Sequence, residues 1–163
     1  MFFLTTLSIS GSALSQDYNS FKVGLGLGPA VLNDHEGTVA GIVTVEPAYR
    51  TSDDLAIGLR MEGGVTGVYE VDVFGSCTIN VQYYLNENTF RPFVGSGLGL
   101  YRFGNVEYET RFGFYPRVGF DAGHFTTSLD YNILPVSSDA IYSDLSGYIH
   151  LRVGVSIGGG KRY

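Results

Sequence analysis

The stretch RPFVGSGLGLYRF, Arg91 to Phe103, decides how this chain is read. Its glycines at 95, 97 and 99 suggest a phosphate-cradling loop, but such a loop needs glycines in an irregular, tightly bent segment. Here they recur at every second residue, interleaved with Val94, Leu98 and Leu100. That is the period of a β-strand, with one face kept small and the other large and apolar. The closing GVSIGGGKR fails as a phosphate loop for a different reason: Val155 stands six residues before Lys161, and Arg162 replaces the Ser or Thr.

Working outward, the same alternation fills most of the chain. Phe21, Val23, Leu25 and Leu27 oppose Lys22, Gly24, Gly26 and Gly28, and Val39, Val43, Val45 and Tyr49 oppose Thr44, Glu46, Ala48 and Arg50. A third stretch sets Leu55, Ile57, Leu59 and Met61 against Gly58, Arg60, Glu62 and Gly64. In the fourth, Ile79, Val81, Tyr83 and Leu85 oppose Thr78, Asn80 and Gln82; Phe74 is out of phase, and a bulge is expected there. The quoted stretch is the fifth. The sixth sets Phe114, Val118 and Phe120 against Arg117, Gly119 and Asp121, and the seventh sets Leu129, Tyr131 and Ile133 against Ser128, Asp130 and Asn132. The eighth opposes Ile149, Leu151, Val153, Val155 and Ile157 to Tyr148, His150, Arg152, Gly154 and Ser156. Eight strands suffice to close a small barrel.

The connections alternate too. TSDD (Thr51 to Asp54), NENT (Asn86 to Thr89) and Gly123–His124 are hairpin turns, whereas Ala30–Thr38, Thr66–Asp72, Gly104–Thr110 and Pro135–Asp144 are longer. Short turns at one end and longer loops at the other are expected of an up-and-down barrel that crosses a membrane.

Composition decides which face looks outward. Only 16% of the 163 residues are charged, while Gly contributes 23 and Tyr and Phe contribute 12 and 11, a poor recipe for a water-facing surface. A soluble, lipocalin-like binding barrel is the competing architecture, but it needs a well-solvated exterior, and the polar face here is mostly Gly, Ser, Thr and Ala. The first-strand Trp common in lipocalins is missing as well, since the chain has no Trp. Turned inward, the small residues leave room for a few long charged side chains. The predicted lumen network comprises Lys22, Glu46, Arg50, Arg60, Glu62, Arg91, Arg117, Asp121, Asp130, His150 and Arg152, because buried charges persist only when paired. Gly95, Gly97 and Gly99 then face the lumen. Tyr49, Tyr83, Phe90, Phe125 and Tyr131 are read as lying near the turn ends, as an interfacial aromatic girdle.

Residues 1–16, MFFLTTLSISGSALSQ, carry no charge and read as a cleaved signal peptide, although the usual basic n-region is missing and the first cation is Lys22. The barrel domain is then 17–163. Cys77 is the sole cysteine, so no internal disulfide is available, and a small lipid-facing role is expected for it. The net charge of −6 argues against nucleic acid as a partner.

Three segments carry a family likeness: VEPAYRTSDDLAIGLRMEGG (Val45 to Gly64), FRPFVGSGLGLYR (Phe90 to Arg102), and YIHLRVGVSI followed by GGGKRY. They resemble the outer-membrane β-barrel domain family, whose eight-stranded members include the OmpA barrel, OmpX and OmpW, over roughly the whole of 18–163. The pattern departs at its end, because Gly158 to Arg162 intervene before the terminal aromatic Tyr163. The resemblance implies a monomer in the outer membrane of a Gram-negative bacterium. Its implied partners are membrane lipids, lipopolysaccharide, the barrel-assembly machinery and a possible extracellular partner at the loops.

Chemistry-bearing candidates are few. His35, His124 and His150 are the histidines, and neither His124 with Ser128 nor His150 with Ser156 makes a triad by spacing alone. The loops hold Asp34, Glu36, Glu70, Asp72, Glu107, Glu109, Asp139 and Asp144, an acidic rim without a calcium-loop motif. No catalytic residue, metal or cofactor is therefore assigned. The expected fold is an all-β, eight-stranded antiparallel transmembrane barrel, non-enzymatic, of structural or surface-interaction type. Passive passage of small or apolar solutes is the alternative, with lipid A modification a more remote one.

Overall fold

A computed structural model describes residues 19–33, 37–66, 72–104, 109–135 and 145–159. Eight antiparallel strands close into a barrel in chain order: β1 (Phe21–Leu32), β2 (Val39–Arg50), β3 (Leu55–Thr66), β4 (Asp72–Tyr84), β5 (Phe90–Gly104), β6 (Glu109–Ala122), β7 (Phe125–Ile133) and β8 (Gly147–Gly158). Pairing of β1 with β8, from Lys22 opposite Gly158 to Leu32 opposite Tyr148, removes the last open edge.

The register is unbroken where a bulge was expected. β4 pairs residue for residue with β3 from Leu55–Tyr83 to Thr66–Asp72, and with β5 from Tyr84–Phe93 to Val73–Gly104. Phe74 is thus in phase with Ser76 and Thr78 and points inward, buried at 4% exposure. The expectation failed because a large apolar residue on the small-residue face imitates a phase slip. Its actual role is to fill the loop end of the lumen.

The alternation resolves into two surfaces. Large apolar side chains from all eight strands stand exposed, from Leu59 at 39% to Leu27 at 66%. An apolar belt around an entire sheet is far beyond the few hundred Å² that water-soluble monomers expose. It fits a hydrocarbon environment, where every backbone group must be satisfied between strands. Among the described residues no helix is long and apolar enough to cross a membrane.

The turn end is made by residues 51–54, 85–89 and 123–124. Ser52 Oγ accepts the Leu55 amide at 3.1 Å, and Asn86 Oδ1 accepts that of Asn88 at 3.1 Å. Gly123 adopts φ +62°, which a side-chain-bearing residue rarely takes, and lets β6 reverse into β7 in two residues. Outside, Phe120 packs between Phe90 and Phe125, with ring centroids 4.7 and 6.2 Å apart, in an aromatic cluster near this end. Tyr49 and Tyr83 are likewise exposed there. Tyr131 is a correction: paired with Ile149, it lies toward the far end of β7 from the Gly123–His124 turn.

Candidate functional site in the barrel lumen

The inward face contains all eleven charged or titratable residues predicted for the lumen, each 7% exposed or less. Glycine makes the room. A Cβ at Gly97 would lie 2.5 Å from the Tyr115 ring, and one at Gly99 would lie 2.2 Å from the backbone oxygen of Cys77. The alternate glycines of β5 therefore let a neighbouring strand and a buried aromatic approach closely.

At mid-lumen the structure brings together seven of the eleven. Arg117 of β6 donates Nη1 and Nη2 to the two oxygens of Glu46 of β2, each at 2.8 Å. It turns Nε to Asp130 Oδ1, also at 2.8 Å. Glu46 further accepts Gln82 Nε2 at 2.8 Å and a hydrogen bond from Arg152 of β8. Arg60 of β3 donates Nη1 to Asp130 at 2.9 Å and Nη2 to Asn132 Oδ1 at 2.8 Å, its guanidinium carbon 3.5 Å from the Tyr115 ring centroid. The same guanidinium reaches Glu62 at 3.4 Å, and Glu62 accepts Ser76 Oγ and Tyr148 OH at 2.9 and 3.0 Å. His150 Nδ1 lies 3.3 Å from Glu62 Oε1. Near the turn end Lys22 pairs with Asp121, which also accepts Tyr84 OH at 3.0 Å. Shared carboxylates and bidentate guanidinium contacts are what make buried charge tolerable.

The other residues of the predicted set sit apart. Arg50 and Arg91 lie at the turn end, with guanidinium carbons 4.9 and 4.2 Å from the Tyr84 ring centroid. Arg91 donates Nε to the backbone oxygen of Asn86 at 3.1 Å and Nη2 to that of Asp53, tying two turns together.

Sequence reasoning missed Arg111 and the inward aromatics Tyr84, Phe93, Tyr101, Phe103 and Tyr115. Strand parity would have placed them: Arg111 and Tyr115 share odd numbering with Arg117, and Tyr101 and Phe103 share it with Gly99. Arg111 pairs with Glu109 at 2.8 Å and donates Nη1 to Leu145 O at 2.7 Å. Glu109 is therefore the first residue of β6 and ion-paired, rather than part of a free acidic rim. Of the other rim residues only Asp72 is placed, as the start of β4; Asp34, Glu36, Glu70, Glu107, Asp139 and Asp144 lie outside the described residues, as do His35, 1–16 and Tyr163. Above the network, Phe74, Phe103, Tyr101, Tyr148, Leu134 and Leu145 form an apolar plug at the loop end. Between Lys22, Glu46, Gln82 and Arg152 remains a void of about 10 Å³, roughly the least that admits one water.

Glu62, Asp130 and His150 bring three ligand-type atoms within 4.8 Å of one another. Arg60 already bridges the two carboxylates from 3.4 and 2.9 Å, so a positive group occupies the electrostatic position a metal ion would need. Among the described residues no serine hydroxyl is seen hydrogen-bonded to a histidine ring: Ser76 Oγ donates to Glu62, not to His150, and His124 Nδ1 faces the backbone oxygen of Ser156 at 2.9 Å. Cys77 faces outward and is exposed.

No protein-family model and no curated protein matches the sequence. Solved structures do match. Neisserial surface protein A superposes with a TM-score of 0.73 at 16% identity, over 85% of this chain and 96% of that one. The outer membrane protein OprG from Pseudomonas aeruginosa gives 0.56 at 13% identity, over 88% and 99%. The Yersinia pestis outer membrane protein Ail, in a phospholipid bilayer nanodisc, gives 0.56 at 12% identity, over 85% and 99%. The chain thus has the fold of the eight-stranded outer-membrane barrels.

Proposed function

We propose that this protein is an integral outer-membrane barrel of structural or surface-interaction type, without catalytic activity. Its wall anchors it in the lipid, and its four longer connections face outward to meet lipopolysaccharide or an external partner. The observation that carries this reading is the filled lumen: a continuous chain of ion pairs runs from Arg152 through Glu46, Arg117, Asp130 and Arg60 to Glu62, beneath an aromatic plug. A void of about 10 Å³ is far too small for a solute. The full apolar girth supports the lipid location, and the similar folds, a neisserial surface protein and two outer-membrane proteins, point the same way.

Planar-bilayer recording tests this reading against passive transport. The refolded full chain is expected to give no single-channel steps, whereas reproducible steps lost on shortening the loops would overturn it. Mass spectrometry of lipid A from cells with and without the protein tests the enzymatic alternative. Unchanged acyl content is expected, and loss of an acyl chain would refute the non-enzymatic reading.

A further inference from the structure

Where the ion-pair layer meets the Lys22–Asp121 pair, the lumen leaves the void of about 10 Å³. Two cations face it from neighbouring strands, Lys22 of β1 and Arg152 of β8, each 7% exposed or less. Both have hydrogens left over. Lys22 Nζ engages Tyr84 OH and Asp121, which accounts for two of its three N–H groups. Arg152 donates Nη1 to Glu46, but its Nε has no hydrogen-bond partner among the described residues. Acceptors face the same space. Gln82 Oε1 takes one hydrogen bond, from Tyr84 OH at 3.3 Å, and keeps a second lone pair, and the Thr126 hydroxyl of β7 adds another acceptor. Glu46 also lines the void, yet Arg117, Arg152 and Gln82 already fill its carboxylate lone pairs.

We propose that this void is a binding site for one tightly held water molecule. The water accepts from Arg152 Nε and Lys22 Nζ and donates to Gln82 Oε1 and the Thr126 hydroxyl, a partner set of the size that buried waters use. The chemistry excludes ions. An anion would meet the Glu46 carboxylate and the Gln82 carbonyl oxygen, and a cation would meet Lys22 and Arg152, so the groups present suit a small neutral molecule that both donates and accepts. With its oxygen toward two like charges, the water offsets their repulsion. Its hydrogens make a second bridge, beside the one through Tyr84 and Gln82, from the turn-end pair to the Glu46 layer. Glycine keeps the space open. A Cβ at Gly26 would lie 2.8 Å from Arg152 Cγ and Cδ, so a side chain there displaces the arginine itself. A Cβ at Gly24, on the wall of the void, meets nothing closer than the Glu46 backbone oxygen at 3.6 Å, an ordinary contact. Gly24→Ala therefore fits the protein but competes with the water.

The test uses the folded full chain in detergent micelles. Water-selective NMR is expected to show a dipolar cross-peak between water and Arg152 Nε–H, told from proton exchange by its opposite sign in the rotating frame. In Gly24→Ala that cross-peak should be lost. The urea midpoint of this variant should also fall below that of Gly63→Ala, which makes the same change in chain entropy at an outward glycine with nothing within 4 Å of the added Cβ. For a dry void the sign reverses, because a methyl group that fills empty space adds stability. Absence of the cross-peak in the wild-type protein, its survival in Gly24→Ala, or a Gly24→Ala midpoint equal to or above that of Gly63→Ala would overturn the proposal. Should Gly24→Ala not fold, the wild-type cross-peak decides alone.

Discussion

Two regions close the same lumen by opposite means. At mid-barrel, closure is electrostatic: Glu46 serves Arg117, Arg152 and Gln82, and Asp130 serves Arg117 and Arg60. At the loop end it is apolar, with Phe74 stacked 6.0 Å from Phe103 and tilted against Tyr148 at 5.7 Å. The difference lies in how each tolerates change. A packed apolar cluster accepts another hydrophobe of similar size, whereas a shared carboxylate has no substitute, because removing it takes an ion-pair partner from two buried cations at once.

Ways to break the contrast follow in order of effect. Glu46→Ala is expected to cost about 3–5 kcal/mol, the usual penalty for breaking a buried ion pair from one side, read as urea unfolding of the folded barrel in lipid vesicles. Glu46→Gln, although isosteric, should recover little of it. Phe74→Ala should cost about 3 kcal/mol by the same assay, yet Phe74→Leu less than about 1.5 kcal/mol. Equal sensitivity of the two sites to their isosteric swaps would erase the distinction. Phe74→Ala should also leave bilayers non-conducting, since the ion-pair layer lies beneath.

A smaller effect separates the two faces of the wall. Gly97→Val, which drives a side chain into Tyr115, should cost about 1–3 kcal/mol. Gly63→Val, with nothing within 4 Å of the added Cβ, should move stability by no more than about 0.5 kcal/mol. Smallest of all is the response to salt: raising ionic strength from about 0.05 to about 0.5 M should barely shift the unfolding midpoint, because buried pairs are weakly screened.

The strand pattern was legible because a barrel in lipid imposes one rule on every residue, in or out, and that rule has a period of two. Position in the lumen could therefore be read for Arg60, Asp130 and Arg152 from parity alone. Their partners could not. Arg117 meets Glu46 across 71 residues of sequence and Arg152 meets it across 106, distances set by barrel closure and stagger rather than by any local signal. Phe74 was misread for a related reason. Local alternation carries no information about an aromatic contributed by β5 or β8, so an inward Phe looked like a slip when it was one part of a plug.

The central claim, that the apolar face of this wall meets hydrocarbon while the charged face is enclosed, can be tested without mutation. Cys77 sits outward near the middle of β4, between Met61 and Leu100 on the neighbouring strands. A nitroxide attached there in the protein reconstituted into vesicles should relax faster with dissolved oxygen than with a water-soluble nickel chelate, as expected of a probe among acyl chains. Faster relaxation by the nickel chelate would place this face in water and contradict the account.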